Sequence, residues 1–155
     1  MTQRVAIECF ADEDLIHVLA RVCGLPLKGL HRFGQGQVVE AVFERGTAEI
    51  GIVDEDPDKP HHRTRDATEV AGQTEHVAWR RRGDRHLFLI RPDLETCFLR
   101  SWSRFGGTPK GLPERPADLQ RLLNRPPPFA AHEAFRRALA ALREESRRRR
   151  ATSFV

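Results

Sequence analysis

The chain opens on a short apolar run, Val5-Ala6-Ile7, set between Arg4 and the pair Glu8-Cys9. A run this short and apolar predicts a first buried strand over Arg4–Cys9 that ends in an acid. Leu15, Ile16, Val18, Leu19 and Val22 then recur on one helical face. Asp12 stands before that face, where its side-chain oxygen can cap the helix, and Gly24 and Pro26 end it. Leu30 to Phe33 predicts a short second strand. The turn Gly34-Gln35-Gly36 leads into a second helix with Val38, Val39, Val42 and Phe43 on one side, closed by Gly46. Ile50, Ile52 and Val53 give the next run its β-branched character, so a third strand runs into Asp54-Glu55-Asp56 and stops at Pro57. The order β-α-β-α-β with short connections predicts an α/β fold, a mainly parallel sheet covered by helices on both faces.

Residues 57–75 are rich in Pro, His, Arg, Thr and Asp and predict a long loop. His61 and His62 are adjacent and lack cysteine partners, which argues against zinc there. Val77 to Arg81 and Arg85 to Arg91 form two strand-like runs around Gly83-Asp84, with His86–Ile90 apolar enough to be buried. Pro92 and Asp93 open a helix carrying Leu94, Phe98, Leu99 and Trp102, ended by Gly106-Gly107. A proline-rich connector follows. Leu119, Leu122 and Leu123 predict a short helix, stopped by Pro126-Pro127-Pro128. Phe135, Ala138, Leu139 and Leu142 make an amphipathic last helix that runs out in Arg147-Arg148-Arg149-Arg150. This divides the chain into an α/β domain, residues 1–106, and a C-terminal helical extension with a basic tail, residues 107–155.

Length adds that 155 residues suffice for one domain with a real core. No apolar stretch approaches the ~20 residues of a bilayer span, so no membrane partner is expected. The start of the chain lacks the basic-then-apolar order of a signal peptide. Cys9, Cys23 and Cys97 are odd in number and widely spaced, which fits reduced thiols and a cytoplasmic setting. Charge is divided: residues 1–60 hold 11 acidic and 6 basic side chains, net −5, and residues 61–155 hold 11 and 20, net +9. A basic half beside an acidic one fits a polyanion-binding surface next to a cation site, with Arg147, Arg148, Arg149 and Arg150 as candidate nucleic-acid contacts. The competing explanation is genome composition, because 23 of the 26 basic residues are arginine.

The chemistry concentrates at Asp54 and Asp56. Two carboxylates spaced i, i+2 at a strand end repel each other unless a cation sits nearby, and such oxygen ligands suit Mg²⁺ or Mn²⁺. An acidic turn is the plainer reading. For Glu8, a carboxylate at the end of a buried strand is expensive without a partner. Asp12 and Asp58 are further candidates; Asp12 has a capping role open to it, and Glu95 can simply favour a helix N-terminus.

Ile7-Glu8-Cys9-Phe10-Ala11-Asp12 together with Val53-Asp54-Glu55-Asp56 resembles the Toprim family, whose pattern is Glu-Gly-x-x-Asp followed by a strand closing in Asp-x-Asp. The resemblance spans residues 3–105 and extends to small stand-alone members, in which a Leu-Glu pair follows a later strand, as Leu94-Glu95 does here. Cys9 departs from the family glycine. The resemblance implies a Toprim-like fold and metal-dependent phosphodiester chemistry on DNA or RNA. Glu8 would act as general acid/base or ligand, Asp54 and Asp56 would hold Mg²⁺ or Mn²⁺, and Glu95 would complete the site. Other readings stay open: a catalytically inactive nucleic-acid- or partner-binding subunit, a homo-oligomer among them, or a phosphatase using its Asp-x-Asp pair.

Overall fold

A computed structural model describes residues 1–55, 69–127 and 129–152. Strands β1 (Gln3–Ile7), β2 (Leu27–His31), β3 (Ile50–Asp54), β4 (Glu69–Gln73), β5 (Val77–Arg82) and β6 (Arg85–Ile90) form one sheet in the order β2-β1-β3-β6-β5-β4. β2, β1, β3 and β6 are mutually parallel, and β5 is antiparallel to both of its neighbours. Helices α1 (Phe10–Cys23), α2 (Gln35–Val39), α3 (Leu94–Arg104), α4 (Pro116–Leu123) and α5 (Ala130–Thr152) flank it. The α/β class and mainly parallel sheet expected from the pattern are therefore present.

The period-two alternation of the strands sorts the core into two layers. Val5 and Ile7 of β1, Ile52 of β3 and Ile90 of β6 face α1, α3, α4 and α5. Ala6, Val53, Leu87 and Leu89 face the other way, onto Val38, Val39 and Val42. That second layer is thin, since α2 passes into a π-helical turn, Glu40–Glu44. It approaches β3 at Gly51, where an added Cβ would lie 2.8 Å from Leu87 Cδ1 and 2.9 Å from Val42 Cγ2.

The elements depart from expectation in three places. β2 begins at Leu27 and ends before Phe33; the exposed Lys28 and the small Gly29 hide its pattern. Residues 69–73, read as loop, form the edge strand β4, whose pairing comes from β5 and is interrupted by a bulge between Val70 and Gly72. The hairpin expected at Gly83-Asp84 is present, with β5 antiparallel to β6 and β6 parallel to β3. Arg147–Arg150 are helical residues of α5 rather than a tail.

Residues beyond 106 also contribute to the main core. Leu119, Leu123 and Phe135 are fully buried among residues of β1 and α1, and Phe135 meets Phe98 edge-on at 4.8 Å. Asp14, buried in mid-α1, accepts from Arg136 Nε at 2.5 Å and lies 2.6 Å from His132 Nδ1. These contacts pin α5 across α1, as burial of the charged Asp14 requires.

Candidate functional site

In an open sheet of order 2-1-3, the chain leaves β1 toward β2 on one side and returns to β3 on the other. The helices diverge there and leave a crevice beyond the carboxyl ends of the strands. β1 ends at Ile7 and delivers Glu8 to that crevice. β3 ends at Asp54 beside it, and the β6 neighbour of Asp54 is Ile90. Past β6, Asp93 adopts an extended backbone and caps α3, its Oδ1 accepting from the Thr96 amide at 2.7 Å. Glu95 thereby falls in the first turn of α3, on the same edge as Glu8 and Asp54.

Hydrogen bonds tie these acids together. The Asp54 amide donates to Glu8 Oε2 at 3.3 Å, and the Leu94 amide donates to Asp54 Oδ1 at 3.1 Å. Gln35, one residue into α2, donates from Nε2 to the Asp54 carbonyl at 3.0 Å. Asp12 Oδ2 accepts the amides of Glu8 and Cys9, both at 3.2 Å. Asp12 thus caps α1 as expected, but from the third helical position reaching back, with Cys9 at the N-cap. Its other oxygen, Oδ1, is buried without a partner, and so is Glu95 Oε2; the two residues are 0% and 3% exposed.

Electrostatics mark the cluster as under-neutralised. Burial, then the charges of Asp12, Glu95, Glu8 and Asp93, push the Asp54 carboxyl up to about 8. Glu95 rises to about 7 through burial and the charges of Asp93 and Asp12. Asp12 rises to about 6, burial outweighing its hydrogen bonds from Cys9 and Glu8. Glu8 is raised by burial against backbone amides of Asp54 and Gln35. Burial and the same carboxylates push the Cys9 thiol up, so it is a neutral member of the site. The Cys9 backbone, at φ −138° and ψ 174°, is extended and needs no glycine. Without a cation this group holds its charge down by taking up protons.

Glu8, Asp12, Asp54 and Glu95 are thus brought together from three segments of the chain. Asp56 and Asp58 lie outside the described residues. Among the described residues no three ligand side chains already surround a single point. The donor set nevertheless suits a hard divalent cation: all the acidic ligands are oxygen, and two buried carboxylate oxygens are unpartnered. The arginine run is elsewhere. Arg149 donates to the carbonyl of Phe105 and lies over its ring, at the far end of α3 from Glu95, roughly 15 Å of helix away. Composition placed a basic surface beside the acids; the fold places this part of it at the opposite end of α3.

Sequence reasoning missed Gln35 and the field of Asp93. A polar residue directly after the glycine that follows a parallel strand was the available signal for Gln35. No family model, curated protein or solved structure matches this chain.

Proposed function

We propose that the protein is a divalent-metal-dependent enzyme that processes phosphodiesters in nucleic acid, with a Toprim-like site at Glu8, Asp54 and Glu95. One observation carries the reading: carboxylates from the ends of β1 and β3 and from α3 meet at the sheet's switch point, Glu95 buried and Glu8 and Asp54 half-buried, and they repel one another. A structural cluster of acids gains nothing from such an arrangement, whereas a cation site needs it. Asp54 and Glu8 would hold Mg²⁺ or Mn²⁺, with Asp56 as a further ligand and Glu95 closing the site. The ion would supply charge neutralisation at the phosphate and a more acidic water. Glu8, raised by burial yet tied to the Asp54 amide, is the group positioned to take and return a proton. Asp12 fixes the Glu8 and Cys9 backbone and so orients that carboxylate. Gln35 fixes the end of β3.

Incubation of purified protein with supercoiled plasmid and Mg²⁺ or Mn²⁺ tests the reading. Nicking that chelator abolishes, and that Asp54→Asn and Glu8→Gln each lower by an order of magnitude or more, is expected. Nicking that survives chelation or both substitutions would refute it. A non-catalytic nucleic-acid-binding subunit is the second reading, favoured by the neutral Cys9 thiol among the carboxylates; binding without turnover would select it.

A further inference from the structure

The turn between β2 and α2 is stitched to the acid cluster. The Arg32 amide donates to the carbonyl of Ile7 at 2.7 Å, immediately before Glu8. The Gln35 side chain holds the Asp54 carbonyl, and its amide approaches the Glu8 carboxylate. Between these ties stands Phe33, 78% exposed, the most exposed aromatic side chain among the described residues. It is not an isolated surface residue. Its ring meets His31 edge-on at 4.8 Å, and His31 stacks on Phe10 at 4.6 Å, so a chain of three ring contacts runs from the first turn of α1 to solvent. Gly34, at φ 109° and ψ 151°, adopts a conformation open essentially only to glycine; the chain reverses there and Phe33 stays outside the fold. The neighbouring Arg32 guanidinium makes no ion pair with any described residue.

A fold that exposes a supported aromatic face gains nothing from it in water. An unpaired nucleobase presents the matching flat apolar face, and a cation beside an aromatic is the pairing that single-strand binders use for base and phosphate together. A paired base cannot reach the platform, because both of its faces are covered within the duplex.

We propose that Phe33, backed by His31 and Phe10 and flanked by Arg32, is a stacking subsite for an unpaired nucleobase, which makes single-stranded nucleic acid the preferred substrate of the adjoining acid cluster. This rests on the phosphodiester reading of that cluster for its functional meaning, but binding can be measured without it. The experiment is fluorescence anisotropy of a labelled single-stranded oligodeoxyadenylate and of a labelled hairpin duplex, both in EDTA, for the wild-type protein, Phe33→Ala and Phe33→Trp. Wild type is expected to favour the single strand. Phe33→Ala is expected to reduce the ratio of single-strand to duplex affinity roughly five- to a hundredfold, the worth of one stacked base. Phe33→Trp is expected to restore it. A wild-type ratio of one, a ratio unaltered in Phe33→Ala, or no oligonucleotide binding at all overturns the subsite. Single-strand preference lost in Phe33→Ala but without metal-dependent cleavage sinks the enzymatic reading and leaves the subsite standing. Metal-dependent cleavage with no strand preference does the reverse. Because Phe33 is so exposed, all three proteins should melt alike, which separates loss of stacking from loss of fold.

Discussion

Asp14 and His132 stand 118 positions apart in the chain, and His132 Nδ1 lies 2.6 Å from Asp14 Oδ2. His132 Nε2 lies 2.5 Å from the Arg125 carbonyl, and Arg136 takes the other Asp14 oxygen. Removing the carboxylate strands the buried hydrogen-bonding groups that it satisfies, which costs roughly 1–3 kcal/mol. Asp14→Ala should therefore lower unfolding free energy by about that amount in urea titrations. A loss under about 1 kcal/mol would mean that α5 is held by its apolar stripe alone.

The acid cluster predicts how stability changes with pH. Asp54, Glu95 and Asp12 bind protons more tightly folded than unfolded, so their contribution is fully present below about pH 4 and is lost as pH rises through about 6, 7 and 8. Metal-free protein should melt at a falling temperature over that window. Asp54→Asn keeps the acceptor for the Leu94 amide and removes a charge. It should raise the melting temperature at pH 8.5 by at least roughly 2–4 °C, equivalent to about 1 kcal/mol. A wild-type curve flat from pH 5 to 8.5 would contradict the cluster's strain.

Divalent cations should act against the same strain. At pH 7.5, millimolar Mn²⁺ or Mg²⁺ should raise the wild-type melting temperature by mass action, with a smaller rise at pH 5.5 where protons compete. Asp54→Asn should abolish the rise. An identical rise in the mutant would place the bound ion elsewhere.

Glu95→Gln distinguishes a site role from a helix-end role. As part of the cluster, Glu95 should be needed for nicking, with activity falling tenfold or more and stability at pH 8 unchanged or higher. Acting only on the helix dipole, its loss should cost about 0.3–1 kcal/mol and leave activity intact. Melting and nicking measured on one preparation decide.

Gly51→Ala should destabilise by roughly 1–3 kcal/mol, because the new methyl overlaps Leu87 and Val42 between β3 and the helical layer above it. Equilibrium denaturation checks it; a neutral substitution would mean that the α2 layer shifts freely.

The parallel half of the fold was legible because β1, β3 and β6 are buried on both faces and read as unbroken apolar runs, each ending in a polar group or a proline. Glu8, Asp54 and Glu95 were legible for the same reason, since residues just past parallel strands share one edge. β4 was not, because Glu69-Val70-Ala71-Gly72-Gln73 carries no pattern of its own and owes its conformation to β5. For Asp12 the local spacing offers both a helix cap and a further site residue; that its second oxygen is buried without a partner depends on α3 packing beside α1, a contact that local spacing does not encode. The place of Arg149 against Phe105 likewise depends on the course of α5, whereas composition registers only the charge.

Phe135 fills the core from α5, yet it is wrapped by strands and helices made much earlier. During synthesis, β1, β3, β6 and their acidic termini all leave the ribosome before Phe135 and His132 do. Until those two residues emerge, Phe98 lacks its edge-on ring partner and Asp14 lacks His132 and Arg136. The nascent chain therefore passes through a stage in which the strands and their carboxylates are present but the contacts between α1 and α5 are not. A break in the chain before α5 should remove both side-chain partners of Asp14 and the ring that covers Phe98, and yield a less stable protein.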